Sequence, residues 1–166
     1  MIETDSVVVF FSKDGHCKSV ANALAKLTNS AIVEILPSVA YTPEDFDYEN
    51  PNSRGMREMR DTKACPPIRE NIPDGMPFHT VYMVYPIWWG SFPRPVHTFC
   101  KQWNWENKQV VPICVSGGSG FALSLQDMKE WTKGSILKPG IEISSAQMEN
   151  VEEILQQFLQ NQNMRP

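Results

Sequence analysis

The stretch from Val7 to Leu27 limits what this chain can fold into more than any other. It opens with Val7-Val8-Val9-Phe10-Phe11, apolar at every position and rich in β-branched residues, the pattern of a strand buried on both faces. A polar turn follows, Ser12-Lys13-Asp14-Gly15-His16-Cys17, and then Ser19 to Leu27, where Val20, Ala21, Leu24 and Leu27 fall on one helical face. A strand that turns through a glycine-containing loop into a helix leaves the first helical N–H groups without partners. They lie at the positive end of the helix dipole, which suits an anion such as a phosphate.

The rest of the chain repeats this alternation. Ala31 to Ile35 is a second short strand, stopped by Pro37. From Ser38 to Pro77 the composition shifts to Pro, Asp, Asn, Arg and Glu, with Tyr41, Phe46 and Tyr48 interspersed. That is longer than a simple crossover needs, so a structured excursion is expected, with a short helix within Ser53 to Lys63. Thr80 to Tyr85 is the third strand. The next helix begins near Pro93 or Pro95, with Val96, Phe99, Cys100 and Trp103 as its buried face. Val110 to Val115 is the fourth strand, although Pro112 lacks a ladder donor and calls for a bulge or a strand end. Then come a helix capped by Ser124 with Asp127 three residues on and stopped by Gly134, and a fifth strand at Ile141 to Ile143. Asn150 caps a last helix with Val151, Ile154, Leu155, Phe158 and Leu159 inward. Five strands alternating with helices predict a doubly wound α/β parallel sheet in one domain, residues 1–166.

Composition narrows the function. At 166 residues, 42% hydrophobic and 20% charged, the chain is an ordinary globular sequence. A net charge of -4 with no basic face argues against nucleic acid as a partner. No apolar run approaches the roughly 18 to 20 residues that cross a bilayer, so no membrane role is expected. The acidic Met1 to Asp5 does not resemble a signal peptide. Cys17, Cys65, Cys100 and Cys114 are widely spaced, which fits reduced thiols in the cytoplasm better than disulfides or a metal site. A P-loop, a phosphatase Cys with Arg six positions on and a G-x-S-x-G elbow are all missing.

In a doubly wound sheet, ligands sit beyond the carboxyl ends of the strands at the topological switch point. Three unusual loops leave the ends of strands one, three and four. The first carries the Ser12 hydroxyl and the N–H groups around Gly15. The second, Pro86-Ile87-Trp88-Trp89-Gly90, carries a broad apolar surface. The third, Ser116-Gly117-Gly118-Ser119-Gly120, lets backbone approach a ligand closely, and Phe121 adds a ring. Together they describe a site for a flat heteroaromatic with a phosphate tail.

Val8 to Gly15, Val20 to Ala25, Val81 to Pro93 and Val110 to Gly120 resemble the short-chain flavodoxin-like family, nearest its branch with Y-P-I-W-W-G after the third strand. The resemblance implies strand order 2-1-3-4-5 and non-covalent FMN. It also implies one- or two-electron transfer or NAD(P)H-linked reduction, with no catalytic side chain. Carried over by position, Ser12, Lys13, Asp14, Gly15, His16 and Cys17 line the phosphate. Pro86, Ile87, Trp88, Trp89 and Gly90 flank the ring, and Ser116, Gly117, Gly118 and Gly120 its polar edge. A redox partner protein or small electron acceptor follows, and a homodimer is left open.

Two departures weigh against tight binding. The family has hydroxyls where this chain has Asp14 and Cys17. A carboxylate about 5 Å from a phosphate costs roughly 3 kcal/mol per unit charge at an effective dielectric near 20. Each lost hydroxyl bond to a charged group costs roughly 1.5 to 3 kcal/mol more. Exchanging both residues for threonine is therefore expected to tighten FMN binding. The alternative is a flavodoxin-fold interaction module with weak or lost FMN binding. Simpler roles also stand beside the site roles: Asp14 as a helix cap, His16 at the surface, Cys17 as a filler or a redox thiol, and one tryptophan in the core.

Overall fold

Hydrophobic alternation along β1 (Ser6–Phe10) explains the architecture. Val7 and Val9 pack on one side of the sheet with Val81, Met83 and Tyr85, while Val8 and Phe10 pack on the other with Val84, Val111 and Ile113. The computed structural model describes residues 5–13, 15–69, 77–88, 91–116 and 121–163. In it β1 lies between β2 (Ala31–Glu34) and β3 (Thr80–Pro86), and β4 (Gln109–Ser116) lies beyond β3. All pairings are parallel and the order is 2-1-3-4-5, as expected.

The fifth position holds two short strands. β5 (Ile136–Leu137) pairs with Gln109 and Val110, and β6 (Ile141–Ser144) pairs with Ile113 to Ser116. The break between them accounts for Pro112. In a parallel strand, residues two apart face the same neighbour, and Val110 already accepts a bond from the Lys138 N–H at 2.8 Å. Pro112 therefore faces the gap 138–140, where no ladder donor is needed. Neither a bulge in β4 nor its end is involved.

α1 (His16–Thr28) and α5 (Val151–Asn163) cover one face of the sheet, with Cys17, Val20, Leu24 and Leu155 inward. α3 (Arg94–Lys101) and α4 (Ala122–Trp131) cover the other. The excursion forms a 3-10 turn at Pro43–Phe46 and α2 (Arg54–Arg60), which Ser53 caps by accepting from the Met56 N–H.

Leu27 joins Val20, Ala21 and Leu24 at the inner face of α1, which Cys17 and Ala25 complete. Three local expectations are corrected. Trp103 lies past the end of α3, so the buried face there is Val96, Phe99 and Cys100. Ser124 is not a cap: α4 follows Phe121, and the buried Ser124 hydroxyl donates to the Phe121 carbonyl at 2.7 Å while Tyr85 donates to Ser124 at 3.0 Å. Asn150 is not a cap either. It ends a 3-10 turn, Ser145–Asn150, that runs into α5 and is capped by Ser144 with Gln147. At α4 the tertiary bond from Tyr85 holds Ser124, while at α5 a local capping box starts the turn six residues ahead of Asn150.

Candidate functional site

The β1–α1 turn presents a helix N-terminus at the carboxyl edge of the sheet. Gly15 is the N-cap, at φ 96°, a left-handed conformation natural to glycine. The N–H groups of Gly15 and Lys18 donate to the Ser12 hydroxyl oxygen at 3.0 and 3.4 Å. Ser12 thus serves the end of α1. Asp14 lies outside the described residues. Cys17 is 2% exposed and packs with the core beneath α1, which makes it a filler and not an exposed thiol.

Opposite this turn, Trp88 closes the end of β3. Its N–H donates to the Ser91 carbonyl at 2.7 Å, and the Ser91 N–H donates back at 3.2 Å. The indole sits among Phe11, Tyr41 and Phe46 at centroid distances of 5.2, 5.1 and 4.8 Å, all edge-to-face. The excursion thus folds back over the sheet edge. Its grip is electrostatic as well: the Lys13 ammonium lies 3.9 Å from the Phe46 ring, and the Arg54 guanidinium 3.7 Å from the Tyr41 ring. Tyr41 donates to Glu58 at 2.5 Å, and Glu58 pairs with Arg54 at 3.1 Å. Burial and the Glu58 carboxylate push the Tyr41 phenol well above its ordinary range, so it stays a neutral donor.

At the end of β4, the Ser116 hydroxyl donates to Glu142 at 2.6 Å. Cys114, two residues earlier, is fully buried, and burial first and Glu142 second push its thiol up to about 12. Cys114 therefore stays a protonated thiol at neutral pH.

Between these parts lies a cavity of about 240 Å³. Lys13, His16 and Cys17 line one end, Pro86, Ile87 and Trp88 one wall, and Val115 and Ser116 the far side. Phe46, Tyr48 and Ser145 complete it. It spans the switch point where the chain leaves β1 on opposite sides for β2 and β3. Its lining combines the Lys13 ammonium and the His16 ring with the aromatic side chains of Phe46, Tyr48 and Trp88 and the hydroxyls of Ser116 and Ser145.

The sequence profile of flavodoxins matches residues 5–161. The chain belongs to the flavodoxin family. No curated protein matches it. Among solved structures, this flavodoxin-family chain is similar to a Bacteroides eggerthii protein provisionally described as a flavoprotein, with 28% identity, TM-score 0.86, and 98% of this chain and 100% of that one covered. A counterpart from Bacteroides uniformis, described in the same way, gives 26% identity and TM-score 0.83 over 93% and 99% of the two chains. A Lactobacillus acidophilus flavoprotein, solved in complex with FMN, shares the fold at 17% identity and TM-score 0.68, over 89% and 98%.

Of the residues singled out in the flavodoxin-like sequence, Lys13, His16, Cys17, Pro86, Ile87, Trp88 and Ser116 meet at this cavity, with Ser12 and Gly15 in the turn behind it. Asp14, Trp89, Gly90, Gly117, Gly118 and Gly120 lie outside the described residues. Phe46, Tyr48 and Ser145 were not expected there. Aromatic residues in an otherwise polar excursion were the available signal for the first two. The position of Ser145 just past the end of β6 was the signal for the third. Among the described residues no group of His, Cys, Asp and Glu could hold a metal ion, and no helix is long and apolar enough to cross a membrane.

Proposed function

We propose that this chain is one flavodoxin-like domain, residues 1–166, that binds FMN non-covalently in the switch-point cavity and passes electrons to a redox partner in the cytoplasm. The single observation behind this reading is the joining, in one cavity, of a helix N-terminus with Lys13 and His16 to an aromatic wall of Trp88, Phe46 and Tyr48. That donor set suits a phosphate at one end and a flat ring at the other, so the residues fit the cofactor. FMN would supply one- or two-electron chemistry, with NAD(P)H as a candidate reductant.

The protein's part is binding and tuning. Ser12, Lys13, Gly15, His16 and the N–H groups of the first helical turn would hold the phosphate, with Asp14 alongside. Pro86, Ile87 and Trp88, continued by Trp89 and Gly90, would exclude water from one side of the ring. Ser116, continued by Gly117, Gly118 and Gly120, would meet its polar edge. Because Ser116 gives its proton to Glu142, its remaining capacity toward the ring is as an acceptor.

The absorption spectrum after incubation with FMN and desalting tests this. Retained flavin with quenched fluorescence is the expected result; a colourless protein overturns the proposal. One observation favours the second reading, an interaction module with little FMN affinity: the Gly15 and Lys18 N–H groups that a phosphate would use already donate to the Ser12 hydroxyl, and the Trp88 indole is already packed edge-to-face with Phe11, Tyr41 and Phe46. A colourless protein that still captures a partner would support it.

A further inference from the structure

A second, larger cavity adjoins the first. It measures about 620 Å³, lies beyond the carboxyl ends of β1 and β2, and shares only Lys13, Phe46 and Trp88 with its neighbour. Ligand cavities commonly run about 300 to 1,000 Å³. We propose that this cavity is a separate binding site for a neutral, flat aromatic carbonyl compound.

Four rings, those of Phe11, Tyr41, Phe46 and Trp88, line it together with Ile35, and three of them hold the Trp88 ring edge-to-face. The walls are fixed before any ligand arrives. Phe11 is 3% exposed, and the Tyr41 hydroxyl is committed to Glu58, which leaves that ring no polar task. Preorganised apolar walls bind rings without the cost of ordering side chains.

Polar groups stand on one side only. The Ser12 oxygen accepts from two backbone N–H groups, so its own proton remains for a ligand oxygen. The Lys13 ammonium, seated on Phe46, is a further donor beside it. Both suit a carbonyl. Net charge selects against ions: Lys13 and Glu34 both line the cavity and oppose each other, so a charged ligand gains from one and loses to the other. Because Ser12 and Lys13 are also the donors proposed for the flavin phosphate, the site is defined in the FMN-free protein.

Calorimetric titration with 2-acetylnaphthalene, a neutral two-ring aryl ketone, tests the proposal. Saturable single-site binding is expected in the FMN-free protein, where no phosphate competes for the Ser12 proton. Ala40→Trp fills the cavity from its exposed rim and is expected to weaken binding at least about tenfold, without altering FMN retention. Leu36→Trp, also at an exposed position, is expected to do the same, and circular dichroism confirms that each variant is folded. The anionic analogue 2-naphthoate is expected to bind more weakly. Absence of saturable binding, wild-type affinity in both variants, or tighter binding of 2-naphthoate would each overturn the proposal. Failure to bind FMN, with ketone binding intact, counts only against the proposed flavin site.

Discussion

Replacing Ser12 by alanine separates two jobs that one hydroxyl is positioned to do. In the structure its oxygen accepts the Gly15 and Lys18 N–H groups at 3.0 and 3.4 Å, both exposed. Removing such a cap costs about 1 kcal/mol. In a chain of this size that lowers the thermal midpoint by about 2 to 4 °C. The second job is donation to the FMN phosphate. A hydrogen bond to a charged acceptor is worth about 1.5 to 3 kcal/mol, which corresponds to a loss of about 10- to 150-fold in FMN affinity. Thermal denaturation of the FMN-free protein reads the first effect, and quenching of flavin fluorescence on titration reads the second. Ser12→Thr keeps the hydroxyl and is expected to restore both. A stability loss with FMN affinity unchanged would reduce Ser12 to a cap and refute the phosphate assignment. No change in stability would refute the cap.

Gly140→Ala would place its Cβ 2.1 Å from the Pro112 carbonyl oxygen and 2.7 Å from the Pro112 ring, so urea unfolding should show a loss of about 3 kcal/mol; an unchanged midpoint would contradict this packing. His97 is buried, stacked at 3.9 Å on Trp131, and lowered to about 4, first by burial and then by the Arg94 charge. Below its ordinary value the unfolded chain takes up a proton that the folded one does not. Stability is therefore full above about pH 6.5 and falls by up to about 3 kcal/mol as pH drops toward 4. His97→Gln should flatten that part of the pH–stability curve, and an equal slope in both proteins would rule the histidine out. Tyr41→Phe takes a donor from Glu58, leaves Arg54 as a partner, and should cost about 1.5 kcal/mol in chemical denaturation; no measurable cost would mean that the short bond adds nothing. Asp14→Thr should tighten FMN binding by as much as about 3 kcal/mol in a titration, and weaker binding would show the carboxylate to be helpful. Cys17→Thr is no longer expected to help, because it would bury a hydroxyl in the core beneath α1.

The sequence by itself determined the elements and the layers. Val7 to Phe11, Val81 to Tyr85 and Val110 to Val115 are continuous apolar runs because strands covered on both faces leave no position for a polar side chain. Glycine and hydroxyl residues after β1, and the Trp-containing run after β3, marked the ends where a ligand could sit, because local backbone geometry demands those residue types. The short helix within Ser53 to Lys63 was legible, whereas its cap at Ser53 and the one at Ser144 emerged only in the structure. Ser124 was misread because the helix starts two residues before it, so its hydroxyl turns back to the Phe121 carbonyl and meets Tyr85 of β3, a partner that only packing supplies. Pro112 could not be understood from its own strand, since the gap it faces is made by residues 138–140. The aromatic wall was hidden for the same reason. Phe46 meets Trp88 across 42 positions of chain only after the excursion folds back over the sheet edge. Tertiary structure decided that contact, because pairing of rings so distant in sequence follows from the shape of the sheet edge and leaves no periodic trace in the residues between them.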